Sequence, residues 1–402
     1  MKKYLFIGWF LLLYMQASTQ PLLSEHAQIS LVTCAPSDKA AYTLYGHTAV
    51  RVQDRIRLDS ATWRDIDCVF NYGIFNFSEP NFIYRFTKGE TDYMLAYYAY
   101  DEFIVDYQLR GSEVYEQTLN LSYPEKAAIW QALLLNAQPE NRVYRYNFFF
   151  DNCSTRPAVL LEQHINGTIL FEETAASPAS FRQMINACTR NHPWLTFGCD
   201  LALGMPADRE TTFREAFFLP ENLKEAFAHA RILRPDGSTQ PLVSEEQILV
   251  EEIPDDDETA HTVFTPLLCS ILFFTAILII TLFEWKKKRY FRALDSILYL
   301  CAGIAGGVLF FLCFVSVHPC TWPNLAVAWL HPFHLVGVIL FAVKKLNEAA
   351  YYYHFINFAA LLCMCFGWIF IVPYMNMAFI PLVLSFIIRA GYCFIRKLEH
   401  IG

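Results

Sequence analysis

The strongest constraint on the fold is a series of apolar runs in the last third of the chain. Residues 262–283 carry no charged side chain and are long enough to cross a bilayer, and the basic cluster 286–289 follows them. Further predominantly apolar runs lie at 296–317, 324–343, 349–372 and 375–395. This series predicts an all-α bundle of about five transmembrane helices over residues 262–402.

The basic residues predict the orientation of this bundle. If all five runs cross, the clusters at 286–289, 344–345 and 396–397 fall on the same side. The positive-inside rule assigns that side to the cytoplasm, so the C-terminus is expected to be cytoplasmic.

The third run is interrupted by Pro332 and by two histidines, His331 and His334. This run is therefore expected to be kinked or partly re-entrant. Together with His318, these histidines are candidates for a lipid head-group site, because ionisable groups at membrane depth are often functional. The alternative is that they are interfacial side chains with no chemical role.

The first 19 residues have the pattern of a signal peptide. Lys2 and Lys3 precede an apolar run at 4–15, which is too short to span a membrane, and the small residues Ala17 and Ser18 follow. We therefore expect the next part of the chain to be exported.

Residues 20–244 have the mixed composition of a globular domain, and residues 245–261 form an acidic linker to the membrane bundle. The whole chain has a formal net charge of −8, which argues against nucleic acid as a partner. Strand-like patterns at 29–34, 47–53 and 67–72, with a helix predicted over 124–136, indicate an α+β domain.

Cys153 is the most informative residue of the exported domain. An aromatic run at 144–150 is followed by cap-forming residues at 151–155 and then by a helix-permitting segment. A thiol at a helix N-terminus is expected to have a lowered pKa, and free backbone N–H groups beside it can receive an oxyanion. The alternative is a structural cysteine, packed in the core or paired in a disulfide.

The cysteine count favours a free thiol in the exported domain. Seven of the twelve cysteines lie in the membrane half, and five lie in the exported domain, an odd number. In an oxidising compartment four of the five can pair, for example Cys34 with Cys68 and Cys188 with Cys199, although the sequence does not fix the connectivity.

A thiol nucleophile requires a base, for which His47 is the clearest candidate. It stands at the start of a predicted strand directly after Gly46. On the neighbouring predicted strand, Asn71 can accept the other ring N–H and fix the tautomer, although it can equally satisfy a turn. The exported domain has no spacing typical of metal ligands, so neither a metal nor a cofactor is expected there.

These motifs resemble the Lnb family, in which an N-terminal periplasmic domain is joined to a transmembrane domain. The resemblance is carried by residues 31–36 (LVTCAP), 45–49 (YGHTA), 70–73 (FNYG), 88–89 (KG), 92–95 (DYML), 148–157 (FFFDNCSTRP), 191–195 (NHPWL), 204–209 (GMPADR) and, in the membrane half, 318–334.

The resemblance implies a lipoprotein N-acyltransferase in the inner (cytoplasmic) membrane of a Gram-negative bacterium. It implies a Cys and His pair, which maps onto Cys153 and His47, and a fold similar to permuted papain-like thiol enzymes. The acyl donor would be a phospholipid and the acceptor a diacylated lipoprotein. Two alternatives stay open: a papain-like cysteine peptidase or amidase acting on cell-envelope peptides, and a non-enzymatic membrane assembly factor.

Overall fold

The computed structural model describes residues 22–57, 62–172, 179–253, 263–371 and 375–398. The predicted signal peptide at 1–19 lies outside these residues, as does the most acidic part of the predicted linker. Two compact units are present, and they do not follow the order of the chain. The first comprises residues up to Asn76, Asp92–Thr174 and Phe217–Pro254, and the second comprises Phe77–Thr91, Ala175–Ala216 and the chain from Asp255 onward.

The described residues contain ten strands and twelve α-helices. The strands are β1 (Gln28–Cys34), β2 (His47–Arg57), β3 (Trp63–Ile74), β4 (Asp92–Ala99), β5 (Val114–Leu119), β6 (Val143–Arg145), β7 (Thr168–Leu170), β8 (Arg231–Leu233), β9 (Thr239–Pro241) and β10 (Val243–Val250). The helices are α1 (Phe82–Lys88), α2 (Tyr100–Arg110), α3 (Tyr123–Asn136), α4 (Thr155–His164), α5 (Phe181–Thr189), α6 (Pro193–Ala202), α7 (Pro220–His229), α8 (Pro266–Lys287), α9 (Arg292–Phe314), α10 (His334–Ala342), α11 (Asn347–Ile371) and α12 (Phe379–Leu398).

The first unit is built on a seven-stranded antiparallel sheet in the order β10-β5-β1-β2-β3-β4-β6. Its central strands β1, β2 and β3 coincide with the three strands predicted from β-branched and apolar content, so the predicted α+β domain is confirmed. Helix α2 packs against this sheet through Phe103 and Tyr107, which meet Val32, Ala49 and Val69 in a buried cluster. A smaller antiparallel sheet joins β7, β8 and β9.

The helix predicted over 124–136 is α3, and its start explains why it forms there. Ser122 is the N-cap residue, and Glu125 accepts hydrogen bonds from its backbone N–H and its hydroxyl, both at 2.7 Å. This is a capping box, which satisfies N–H groups that the first helical turn leaves without partners.

The acidic segment differs from its prediction as a linker. The residues from 245 to 250 belong to β10, which pairs with β5 along the edge of the large sheet. Charged side chains on an exposed edge strand discourage pairing with other chains, so an acidic composition is compatible with a strand here. The sheet therefore continues through Val250.

Within the described part of the second unit, four helices are long and apolar enough to cross a membrane. These candidate spans are Pro266–Lys287, Arg292–Phe314, Lys344–Gly367 and Phe379–Arg396. They confirm the prediction of a C-terminal helical membrane region and correspond to the first, second, fourth and fifth predicted runs.

The third run, 324–343, does not form a single spanning helix. It contains a 3₁₀ turn at Leu325–Ala328 and then α10, whose nine residues rise only about 14 Å, against the roughly 30 Å of a bilayer core. Arg292 at the start of α9 donates to the backbone oxygen of Phe341 at 3.4 Å, so α10 ends beside the start of α9. The predicted interruption is therefore present, and the run combines a turn with a short helix.

One segment predicted to lie within the exported domain, the end of α6, belongs to the second unit and contacts the loop after α9. The backbone N–H of Gly204 donates to Cys320 O, and that of Met205 donates to Pro323 O, both at 2.7 Å. Asn324 Nδ2 donates to Leu201 O at 3.0 Å. The end of α6 is thus joined through its backbone to the loop that follows α9.

All twelve cysteines belong to the described residues, and none of them forms a disulfide. The pairing suggested for Cys34 and Cys68 is therefore not observed. Cys34 lies on β1 and Cys68 on β3, and β2 runs between them. Two strand spacings separate their backbones by about 9–10 Å, which is beyond the reach of a disulfide. Cys188 and Cys199 likewise form no disulfide.

Candidate active site

His47 and Asn71 meet on adjacent strands of the large sheet. His47 begins β2 and Asn71 lies on β3, where it is the register partner of Ala49. The distance from His47 Nε2 to Asn71 Oδ1 is 3.1 Å. Asn71 is buried, and its Nδ2 donates to the backbone oxygen of Val69 at 3.2 Å, so its amide orientation is fixed.

This arrangement determines the tautomer of the imidazole. Because Oδ1 of Asn71 can only accept a hydrogen bond, Nε2 of His47 carries the proton. The lone pair of the neutral ring is then on Nδ1. His47 thus has the form that a general base requires.

Cys153 lies two residues before the start of α4, and the helix start is capped by Asn152. Oδ1 of Asn152 accepts hydrogen bonds from the backbone N–H groups of Ser154 and Thr155, both at 2.9 Å. Thr155 Oγ1 in turn accepts from the backbone N–H of Asn152 at 2.8 Å. The first N–H groups of α4 are therefore already engaged, and they are not free to receive an oxyanion.

The sulfur of Cys153 lies against the strand that carries His47. The backbone N–H of Thr48, the next residue after His47, makes a hydrogen bond to the Cys153 thiol, as does the N–H of Cys153 itself. Gly73 on β3 lies on the other side, where a Cβ atom would come within 3.2 Å of Cys153 Cβ. The structure thus brings Cys153, His47 and Asn71 to the same end of β2 and β3.

Burial sets the protonation states of the pair. It raises the pKa of Cys153 to about 11, although the two backbone N–H groups lower it in part. It lowers the pKa of His47 to about 4, against the hydrogen bond with Asn71, which raises it. Near neutral pH both side chains are therefore uncharged.

The pKa of Cys153 is thus raised, whereas its position at a helix start predicted a lowered pKa. Removing a thiolate from water disfavours the charged form, and here that effect exceeds the gain from the N–H groups. Because Asn152 takes the first N–H groups of α4, the helix contributes less to the sulfur than its position in the sequence suggests.

Three tyrosines, Tyr93, Tyr144 and Tyr146, lie around Cys153, and the sequence did not assign them to the site. Tyr93 and Tyr146 meet edge to face with their ring centroids 4.0 Å apart, and Tyr146 Cε2 would lie 3.9 Å from a Cβ at Gly73. Burial raises the pKa of Tyr93 to about 12, so its hydroxyl stays protonated. Tyr144 lies in β6 and Tyr146 directly follows it. Their spacing of two residues is typical of side chains on one face of a strand, and this was the sequence signal that could have placed both beside Cys153.

The three histidines near the membrane lie in the second unit and have protein contacts. His318 Nε2 is 2.8 Å from Phe86 O. His334 uses both ring nitrogens, with Nδ1 at 2.7 Å from the Tyr353 hydroxyl and Nε2 at 3.0 Å from Trp329 O. His331 stacks on His334 with the centroids 3.8 Å apart. A lipid head-group site at these residues stays a prediction.

Comparison with known families gives two matches. The family model of the Lnb N-terminal periplasmic domain matches residues 14–187, and that of the Lnb transmembrane domain matches residues 257–400. Neither the curated proteins nor the solved structures give a match. The two matched domains indicate a membrane protein of lipoprotein biogenesis with a periplasmic N-terminal domain. Because the two family models occur in the expected order and together cover most of the sequence, the chain belongs to the Lnb family.

Proposed function

We propose that this protein is a lipoprotein N-acyltransferase, which moves an acyl chain from a phospholipid to the N-terminal amine of a diacylated lipoprotein. The observation that carries the proposal is the placement of the Cys153 thiol against the backbone N–H of Thr48, the residue that follows His47 on β2, together with the hydrogen bond with Asn71 that fixes the tautomer of His47. A thiol, an oriented base and a third group that holds the base are the parts of a thiol acyltransferase site. Membership of a family of lipoprotein biogenesis supports a lipoprotein as the acceptor.

In the first step, the sulfur of Cys153 attacks the carbonyl carbon of a phospholipid acyl ester, and Nδ1 of His47 takes the thiol proton. A carbon–sulfur bond forms as the ester carbon–oxygen bond breaks. The departing lysolipid oxygen receives the proton from the imidazolium. The enzyme is left as an acyl thioester with neutral His47.

In the second step, the α-amino group of the lipoprotein attacks the thioester carbonyl. The pKa of a free α-amino group is about 8, so a fraction of the amine is neutral at ambient pH. His47 accepts the amine proton and returns it to the departing sulfur of Cys153. The acyl chain is then held in an amide, and the thiol is restored.

Both tetrahedral intermediates place a negative oxygen next to the sulfur. We assign the oxyanion donors as the backbone N–H groups of Thr48 and Cys153, since both already make hydrogen bonds to the thiol. The amides of Ser154 and Thr155 are not assigned this role, because Asn152 holds them.

The neutral pair determines how the nucleophile is activated. A thiol with a pKa of about 11 beside an imidazole with a pKa of about 4 does not form an ion pair at rest. Proton transfer to His47 therefore accompanies the attack on the ester. The thiolate character arises only when an acyl group is in place.

The proposed partners and topology follow from the two domains. The acyl donor and the lipidated acceptor are both anchored in a bilayer, and attachment to membrane helices confines the thiol domain to the same surface. We place the protein in the inner membrane with the C-terminus in the cytoplasm. Although the third run is not a single spanning helix, α10 ends beside the start of α9, so the basic residues at 286–289 and 344–345 share one side. Helices α11 and α12 then return the chain to that side at 396–397.

Mass spectrometry of lipoprotein N-termini tests the proposal in cells that lack another N-acylating enzyme. Expression of the unchanged protein should give triacylated lipoproteins, whereas Cys153→Ala and His47→Ala should leave them diacylated. Cys68→Ala is the matched control, because Cys68 is a half-buried thiol on β3 of the same sheet and has no assigned role. Triacylation that persists in Cys153→Ala would exclude this mechanism.

A second experiment separates acyl transfer from the alternatives. The purified full chain is incubated with a phospholipid that carries a labelled acyl chain, without acceptor. Label should attach to the protein, be released by neutral hydroxylamine as expected of a thioester, and be absent in Cys153→Ala. A peptidase or amidase would instead cleave envelope peptides without acquiring label. An assembly factor would acquire no label, and Cys153→Ala would not change lipoprotein acylation in the first experiment.

A further inference from the structure

A cluster of polar side chains lies inside the second unit, at the end of the bundle where α8 ends and α9 begins. Asp295 is in the first turn of α9, His354 is near the start of α11, and Cys393 is near the end of α12. Asp295 is fully buried and His354 is only 2% exposed. One ligand atom from each of these residues lies within 4.8 Å of the others.

The distances within this cluster are close to those of a tetrahedral metal site. Cys393 Sγ is 3.4 Å from Asp295 Oδ2, and His354 Nε2 is 3.9 Å from the same oxygen. A tetrahedral zinc ion with ligand bonds of about 2.0–2.3 Å holds its ligand atoms about 3.3–3.6 Å apart. Small rotations of the three side chains are therefore enough to enclose an ion.

The ring of His354 provides an independent indication that something binds there. Among the described residues, neither Nδ1 nor Nε2 has a hydrogen-bond partner, although both are buried. A buried imidazole without partners is costly, because its polar atoms have lost water and gained nothing in exchange. A cation bound to Nε2 would satisfy the ring at the point where it faces Asp295.

The charges around the cluster also favour a divalent cation. Arg389 donates to Asp295 Oδ1 at 2.7 Å and pairs with Glu284, and all three side chains are fully buried. Two carboxylates and one guanidinium leave one negative charge uncompensated. A divalent cation removes this charge if Cys393 binds as the thiolate and releases its proton to solvent. Neutrality matters here because isolated charge is expensive inside a membrane domain.

The outer contacts of the cluster suit a metal site as well. Asp295 uses one carboxylate oxygen for Arg389 and keeps the other directed toward His354 and Cys393. Such a partner orients a carboxylate ligand. The hydroxyl of Tyr290 makes hydrogen bonds to both Asp295 and Cys393, so it borders the same space. We propose that Asp295, His354 and Cys393 bind a zinc ion, since a thiolate, an imidazole and a carboxylate form a donor set that Zn²⁺ favours.

Metal analysis of the purified full-length protein tests this site independently of acyl transfer. The protein is purified in detergent with a tag that contains no histidine, supplied with zinc, and freed of unbound metal. We expect equimolar zinc in the unchanged protein and loss of most of it in His354→Ala and Cys393→Ser. Cys363→Ser is the matched control, because Cys363 is an exposed cysteine on α11 and should leave the zinc content unchanged.

Cobalt substitution gives a second readout that reports the ligands directly. Co²⁺ in the unchanged protein should show a thiolate-to-cobalt charge-transfer band, and Cys393→Ser should lose it while Cys363→Ser retains it. The competing explanation is a protonated His354 that neutralises the cluster by itself. That explanation requires the unchanged protein to remain free of zinc and cobalt after supply of either ion, and this result would overturn the proposal.

Discussion

The imidazole of His47 donates from Nε2 to Oδ1 of Asn71 across 3.1 Å, and Asn71 is held in place by the backbone oxygen of Val69. The histidine and its orienting group therefore come from neighbouring antiparallel strands. Rigid strands fix the direction in which Nδ1 points. The sheet thus fixes the orientation of His47, the proposed base, whereas Cys153 lies in the loop just before α4.

Replacing Asn71 with alanine should slow thioester formation by about a hundredfold, since general-base catalysis contributes about 10²–10⁴ and depends on the correct tautomer. The hydrogen bond with Asn71 raises the pKa of His47, so its loss should lower that pKa below its value of about 4. The acid limb of the pH–rate profile should therefore move to lower pH. Asn71→Asp should move that limb upward, because a carboxylate favours the charged imidazolium. An unchanged acid limb in both variants would show that Asn71 has only a structural role.

In the absence of substrate, Cys153 should react slowly with iodoacetamide near neutral pH. Its pKa is raised to about 11, so the thiol is almost entirely protonated, and the alkylation rate should rise with pH well beyond about 8.5, the value for a free cysteine. The measurement is mass spectrometry of the alkylated peptide over a pH series. A midpoint below that of free cysteine would instead indicate a preformed thiolate and contradict the neutral pair.

Gly73→Ala should abolish most thioester formation while the protein still folds. Its φ of +89° is unfavourable for alanine by about 1–2 kcal/mol, and the new methyl group would press on Cys153 at 3.2 Å. Gly237→Ala is the matched control, because its φ of +83° imposes similar strain but a Cβ there meets nothing within 4 Å. Both variants should lose similar stability in thermal denaturation, and only Gly73→Ala should lose acyl transfer. Equal activity of the two variants would count against close packing at the thiol.

Gly204→Ala should lower the thermal stability of the full-length protein in detergent. A Cβ at this position would lie 2.4 Å from Pro323 O and 2.7 Å from Thr321 O. The backbone hydrogen bonds between the end of α6 and the loop after α9 therefore have to lengthen or break. The comparison variant is Gly198→Ala within α6, where a Cβ meets nothing within 4 Å. That change should stabilise the helix by about 0.5–1 kcal/mol. The denaturation midpoint should fall in Gly204→Ala and rise in Gly198→Ala. Shifts in the same direction would contradict a stabilising role of the hydrogen bonds between α6 and the loop after α9.

The sequence predicted those parts of the fold that depend on local pattern. Apolar and β-branched content located β1, β2 and β3, and the helix predicted over 124–136 is α3. The proximity of His47 and Asn71 could also be predicted from the sequence, because their strands are neighbours in the chain and pair directly. Cys153 was identified from the change from aromatic to cap-forming residues, but its distance from His47 depends on tertiary packing.

What the sequence could not predict depends on contacts between distant segments. Local composition gave no indication that the end of α6 joins the loop after α9, since those hydrogen bonds are made by the backbone. The direction of the thiol pKa was wrong for a similar reason. The dipole of a helix start can be inferred from the sequence, whereas the burial around Cys153 and the capping by Asn152 cannot.

The protonated state of Cys153 has a consequence for the lifetime of the protein. Thiolates attack peroxides and small disulfides much faster than thiols do, so a resting sulfur with a pKa of about 11 is spared conversion to sulfenic acid or to a mixed disulfide. Such protection matters for a cysteine that forms no disulfide and lies in a periplasmic domain, outside the reducing cytosol. Under the proposed function, the sulfur of Cys153 therefore stays intact between encounters with lipid without a dedicated reductant.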